Sequence, residues 1–334
     1  MSQPPLLEVK NLKTKFATEK GQVTAVRGIT FRIDEGQTLG IVGESGCGKS
    51  VTAESIQRLL DEETTRYEGE IRYKGKNLLT LSEKEMRKIR GNEISMVFQD
   101  PMSSLNPVYS IGNQVAEAIM LHQKVSKKAA YAKAVEILSL TGIPSPEKRI
   151  HDYPHELSGG LRQRVMIAIA LSCNPSLLIA DEPTTALDVT IQSQILELMD
   201  GLREKYNMGI IMITHDLGVV AEICDRVAVM YLGQIIEEAD VKSLFKTPLH
   251  PYTRGLMQSI PQLDGDRTKK LHVIKGKVPS LHDVPEGCPF AARCAYSDDQ
   301  CKKDPPIKAY SDSHNVKCWH YEKILKEEGA IHVG

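Results

Sequence analysis

The sequence predicts an α/β fold with antiparallel pieces, an inserted helical lobe and a loop-rich C-terminal region, and three observations carry that reading. The octet GESGCGKS, Gly43 to Ser50, follows the apolar run Thr38 to Val42, which reads as a buried strand, and opens Lys49 to Leu60, which reads as a helix. Short β-rich runs alternate with helical stretches over the first two thirds of the chain. Between Pro101 and Tyr153 the strand signals stop.

Taken in order, Leu7 to Val9, Val23 to Ile33, Gly69 to Tyr73 and Ile94 to Phe98 hold residues suited to a pleated, half-buried surface and read as strands. Ile111 to Gln123 and Lys128 to Leu140 read as the helices of the inserted lobe. The second stops at Gly142, with Pro144 just beyond, because glycine accepts the left-handed cap and proline cannot continue a helix. Strands resume at Leu177 to Asp181, Ile210 to Thr214, Arg226 to Tyr231 and Gln234 to Glu238. After about Asp240 prolines recur from Pro248 to Pro306, and four of the seven cysteines fall between Cys288 and Cys318. The expected division is therefore 1–240, with a helical subdomain at about 101–157, and 241–334.

Composition narrows the class. With 25% charged residues and a net charge of −1 over 334 residues, the chain has no electrostatic footprint for free nucleic acid or an anionic membrane surface. No run approaches the ~18 consecutive apolar residues that cross a bilayer. MSQPPLLEVKNLKTKF lacks the basic start and apolar stretch of a signal peptide, so the chain is expected in the cytosol.

The chemistry starts at Gly43 to Ser50. Backbone N–H groups of such a loop wrap a polyphosphate, Lys49 reaches its outer oxygens and the Ser50 hydroxyl ligates Mg²⁺. In LLIADEP, Leu177 to Pro183, an apolar strand delivers Asp181 to the Mg²⁺ shell and Glu182 to the γ-phosphate, where a carboxylate polarises an attacking water. Pro183 to Asp188 (PTTALD) is a polar turn where a second subunit is expected to meet the site. LSGGLRQR, Leu157 to Arg164, opens another helix: Ser158 caps it, and the glycines let N–H groups approach an anion.

Together these segments resemble the ATP-binding subunit of ABC transporters over roughly Leu7 to Asp240, which implies an ABC-type P-loop ATPase core with an antiparallel β subdomain. The resemblance implies that Gly43, Glu44, Ser45, Gly46, Cys47, Gly48, Lys49, Ser50 and Val51 hold ATP, with Phe16 stacked on adenine. It implies that Ser50, Gln99 and Asp181 serve Mg²⁺, that Gln99 also senses the attacking water, that Glu182 is the base and that His215 holds the γ-phosphate. Ser158, Gly159 and Gly160 would face the nucleotide of an opposing subunit, and Asp188 would cross that interface. Leu161 departs from the pattern, which usually has glutamine there, so a polar contact is missing from that position. Members of the family that act in DNA repair or translation are the rival class. Long coiled-coil arms mark the former and two cassettes the latter, whereas here Ser50 and Asp181 are about 130 residues apart without sustained heptads and each motif occurs once.

HPYTRGLMQSIP, His250 to Pro261, and GCPFAARC, Gly287 to Cys294, resemble the extension on ATPases of oligopeptide and dipeptide importers. Taken alone, HPYT is a turn leading into a helix. The implied partners are a second ATPase, expected to be a paralogue in a heterodimer, two membrane permeases and, indirectly, an extracytoplasmic peptide-binding protein. The implied place is the cytoplasmic face of the cell membrane. Cys288, Cys294, Cys301 and Cys318 are spaced by five, six and sixteen residues; thiols there suit zinc, although no C-x₂₋₄-C pair is present, or a cubane cluster. The resemblance implies [4Fe–4S]. Cys47, at a helix N-terminus inside the loop, is expected to be a reactive thiolate, and Cys173 and Cys224 to be core thiols.

Overall fold

The computed structural model describes residues 4–19, 21–100, 104–185, 188–259 and 273–331. In chain order the first elements are β1 (Leu7–Thr18), β2 (Gly21–Ile33), β3 (Thr38–Val42), α1 (Lys49–Gln57), β4 (Thr65–Tyr73), β5 (Lys76–Asn77), α2 (Glu83–Ile89) and β6 (Ile94–Val97). Next come α3 (Ile111–Gln123), α4 (Lys127–Leu140), α5 (Pro146–Arg149), α6 (Gly159–Leu171), β7 (Leu177–Asp181), α7 (Val189–Tyr206) and β8 (Gly209–Thr214). The last are α8 (Leu217–Ile223), β9 (Arg226–Tyr231), β10 (Gln234–Asp240), α9 (Val241–Lys246), α10 (Pro251–Gln258), β11 (Lys308–Ser311), β12 (His314–Val316) and α11 (Tyr321–Ile331).

The chain forms two compact units, one of Met1–Leu7, Ile33–Thr38 and Arg72–Ile213, the other of Glu8–Arg32, Leu39–Ile71 and Thr214–Gly334. In the first, β6, β7 and β8 pair in parallel. Every residue of β7 and β8 is buried, as expected of parallel strands covered on both faces. The helical lobe packs α3 on α4 and both on α6. Ser110 and Ser126 cap α3 and α4 by accepting the N–H groups of Asn113 and Ala129. Beyond α4, Gly142 adopts φ +77°, so the helix ends where the sequence marks it.

In the second unit β3 pairs in parallel with β9, and β9, β10, β12 and β11 follow as an antiparallel series. A four-stranded sheet has the order β2-β1-β4-β5, with β4 and β5 antiparallel. β1 is far longer than Leu7 to Val9, because its lysines alternate with Leu12 and Thr14, which are buried while the other face meets solvent.

The C-terminal residues are less loop-like than expected. Glu237 and Glu238 of β10 pair with Val316 and Asn315 of β12, so this region adds strands to the sheet that begins at β3. Cys288, Phe290 and Cys301 share one apolar cluster with Val42, Val229, Tyr231 and Tyr252. Compactness therefore cuts across the boundary at about Asp240.

Candidate nucleotide site and four-cysteine region

The loop Gly43 to Ser50 joins the buried strand β3 to α1. A side chain at Gly43 would put its Cβ 2.2 Å from the Met230 carbonyl oxygen, and one at Gly48, φ +104°, would meet the Ala25 carbonyl at 2.8 Å. The glycines are thus required by close backbone approach. The Lys49 ammonium folds back on the loop, donating to the carbonyls of Gly43 at 2.8 Å and Glu44 at 3.2 Å. Ser45 and Gly46 are exposed, while Ser50 and Val51 are half-buried. Phe16, half-buried near the end of β1, and His215, exposed just after β8, belong to the same unit as the loop.

Cys47 differs from its expectation. Its side chain is fully buried, and that burial pushes the thiol pKa up, outweighing the opposing pull of Lys49. Desolvation of the thiolate overrides the helix dipole, so a buried, protonated thiol stands where a reactive one was expected. Cys173 and Cys224 are half-buried and shifted the same way, Cys224 to about 12.

Glu44 is held at both ends. Its N–H donates to the Tyr252 hydroxyl at 2.8 Å, and its carboxylate takes the Arg293 guanidinium in a two-toothed pair at 2.6 and 3.0 Å. Arg293 is nearly sealed from solvent, with its side chain only 4% exposed. Neither partner was singled out from the sequence, because contacts separated by more than two hundred residues leave no local signal.

The acidic pair lies in the other unit. Asp181 is buried at the end of β7, and Glu182 adopts φ +47°, its N–H donating to the Ile213 carbonyl at 2.8 Å. The Glu182 carboxylate accepts from Gln99 Nε2 at 2.9 Å and from Thr185 Oγ1 at 3.0 Å. Gln99 and Glu182 are thus brought together, whereas Thr185 carried no sequence signal. Ser158 caps α6 through the Leu161 N–H, and Asp188 caps α7 through the Ile191 N–H at 2.9 Å. Ser158, Gly159, Gly160 and Asp188 line one open hollow of about 560 Å³. Leu161, half-buried, lines it too, and supplies no hydrogen-bonding side chain.

Cys288, Cys301 and Cys318 are buried and Cys294 half-buried, and each shifts the others' ionisation or is shifted by it. Burial first, then the neighbouring thiols, pushes Cys294 up to about 11 and Cys318 to about 12. The N–H groups of Tyr296 and His320 donate to the sulfurs of Cys294 and Cys318, both at 3.4 Å. Tetrahedral zinc with bonds of ~2.3 Å needs sulfurs ~3.8 Å apart. Among the described residues the ligand atoms found mutually within 4.8 Å belong to Asp298, Cys301 and His320, not to the four thiols.

The His250 turn is also built in. His250 caps α10, its Nδ1 accepting the Tyr252 N–H at 3.0 Å, and buried Glu237 accepts the N–H groups of Leu249 and His250 and pairs with His314. Ile260 and Pro261, the end of that motif, lie outside the described residues.

A glycine-wrapped phosphate loop, an acidic strand end and a serine-capped LSGG helix are the parts of an ATP-hydrolysing cassette, and the ABC transporter family matches residues 26–185. The C-terminal region of oligopeptide/dipeptide transporters matches residues 236–301. The oligopeptide transport ATP-binding protein OppD of Bacillus subtilis is 54% identical over 94% of this chain and 88% of its own length. The dipeptide transport ATP-binding protein DppD of the same organism is 52% identical over 98% of this chain and 96% of its own. A dimeric post-hydrolysis structure of the ATP-binding cassette MJ0796, bound to ADP and Pi, superimposes with a TM-score of 0.64 at 28% identity, covering 70% of this chain and 98% of that one. The chain belongs to the oligopeptide/dipeptide group of ABC transporter ATP-binding proteins.

Proposed function

We propose that this chain is the ATPase that powers uptake of dipeptides and oligopeptides across the cytoplasmic membrane. The observation that carries the reading is the similarity to peptide-transport ATP-binding proteins along nearly the whole chain, C-terminal region included. The chain works at the cytoplasmic face, paired with a paralogous ATPase in a heterodimer, on two permeases supplied by an extracytoplasmic peptide-binding protein. No helix among the described residues is long and apolar enough to cross a membrane, which fits a peripheral subunit.

In this reading Gly43 to Val51 hold the ATP phosphates, Lys49 leaves the loop carbonyls for the γ-phosphate, and Phe16 stacks on adenine. Ser50, Asp181 and Gln99 serve Mg²⁺. Glu182, oriented by Gln99 and Thr185, takes a proton from the attacking water while His215 steadies the γ-phosphate. The hollow at Ser158, Gly159, Gly160 and Asp188 receives the partner's nucleotide, so the site is complete only in the closed pair. Cys288, Cys294, Cys301 and Cys318 hold a [4Fe–4S] cluster, which supplies a crosslink for the C-terminal region.

Phosphate release from Mg-ATP by the purified chain, alone and with its paralogue, tests the ATPase part. The pair is expected to hydrolyse ATP faster than either chain alone; equal rates would refute the shared site.

A further inference from the structure

The Glu44 and Arg293 pair ties the phosphate loop to the turn that carries two of the four cysteines. Arg293 immediately precedes Cys294, at the end of a short turn, Ala291–Arg293, that begins just after Cys288 and Phe290. That turn is closed by backbone bonds from Ala291 to Cys288, from Arg293 to Phe290 and from Cys294 to Ala291. Its start is fastened to the third cysteine by the Cys288 N–H bond to the Cys301 carbonyl at 2.9 Å. The direction in which Arg293 points therefore depends on where Cys288, Cys294 and Cys301 are held.

At its other end Arg293 reaches Glu44, the second residue of the loop, whose carbonyl also accepts from Cys47 and Lys49. A carboxylate in a loop that binds a polyanion is an electrostatic liability unless a cation faces it. Arg293 supplies that cation from a side chain that is itself nearly buried, and its planar fork fixes the orientation of the carboxylate as well as its charge. Together with the Tyr252 hydroxyl on the Glu44 N–H, it holds the start of the loop in place before nucleotide arrives, which lowers the ordering cost of binding.

We infer that Arg293 is a positioning and charge-balancing residue for the phosphate loop, through which the state of the four-cysteine region sets affinity for ATP. The link to the cysteines rests on the metal reading above; the role of Arg293 toward Glu44 does not.

Mg-ATP affinity of the full chain, purified without oxygen, is measured by titration calorimetry for wild type, Arg293→Ala, Arg293→Lys and Arg293→Ala with Glu44→Gln. Arg293→Ala should weaken binding about tenfold, the scale of one lost hydrogen-bonded charge pair, with kcat at saturating ATP changed less than about twofold. Arg293→Lys keeps the charge and loses the fork, and should fall between. Adding Glu44→Gln to Arg293→Ala removes the stranded carboxylate and should restore affinity to within about threefold of wild type. A merely structural role would lower the melting temperature of Arg293→Ala, leave affinity intact and gain nothing from the second change; either unaltered affinity or absent rescue overturns the assignment. Stripping iron with a chelator should weaken wild type as much as Arg293→Ala and leave Arg293→Ala unmoved. Iron removal without effect on wild type overturns the link to the cysteines, whereas a chain isolated without iron overturns the metal reading and leaves the Arg293 comparison to decide.

Discussion

Replacing Glu182 with glutamine isolates the chemical step. The carboxylate accepts from Gln99 at 2.9 Å and Thr185 at 3.0 Å, and an amide keeps an oxygen that can do the same. The left-handed backbone at φ +47° is equally demanding for both residues, so the change should shift stability by no more than about 0.5 kcal/mol. On the proposed mechanism, what disappears is the base. General-base catalysis contributes roughly 10²–10⁴-fold, or about 2.7–5.4 kcal/mol of barrier at ~1.36 kcal/mol per decade. Phosphate release at saturating Mg-ATP should fall by at least ~10²-fold while affinity for ATP stays within about threefold, and the closed pair should accumulate because its nucleotide persists. Wild-type turnover in Glu182→Gln would show that another group activates the water. A comparable loss in affinity would make Glu182 a binding residue.

Three further outcomes follow from burial and charge. His250 is almost fully buried and its pKa is pushed down to about 3, so between its ordinary value near 6.5 and that value the unfolded chain takes a proton that the folded one refuses. Stability should thus fall by about 1.4 kcal/mol per pH unit below ~6.5 on this account, and His250→Gln should flatten the slope of melting temperature between pH 7.5 and 5; an unchanged slope would contradict it. Cys47, buried with a raised thiol pKa, should escape iodoacetamide in the folded chain even without ATP, and prompt alkylation seen by mass spectrometry would refute that. Anaerobic protein should carry about four irons per chain and absorb broadly, and Cys288→Ser, Cys294→Ser, Cys301→Ser or Cys318→Ser should bleach it. Stoichiometric zinc with no iron would assign those thiols to a different metal.

The parts of this molecule legible in the sequence are those whose chemistry is packed into a few adjacent residues. Gly43 to Ser50 and Leu177 to Glu182 announce themselves because close backbone approach and a buried parallel strand both demand a run of particular residue types. The short strands β11 and β12 do not, since Lys308 to Ser311 is largely solvated and is held by pairing with β12, which itself pairs with β10, rather than by its own pattern. Glu237 is equally illegible: a glutamate in a strand reads as a solvated face, and only the fold brings Leu249, His250 and His314 around it. Arg293 and Glu44 meet only after the chain has folded. Cys47 departs from its expectation because a helix N-terminus is visible in sequence and the desolvation that opposes it is not.

The central claim, that this ATPase drives peptide import, is tested most directly by uptake of a labelled dipeptide and a labelled oligopeptide into cells carrying either the wild-type chain or Lys49→Ala in place of it. On the proposed mechanism Lys49→Ala removes the charge that meets the nucleotide phosphates, so uptake of at least one of the peptides should collapse to the level of a strain lacking the chain, while uptake of a free amino acid is unchanged. Peptide uptake equal in the two strains, with the Lys49→Ala chain present at wild-type levels, would contradict the account.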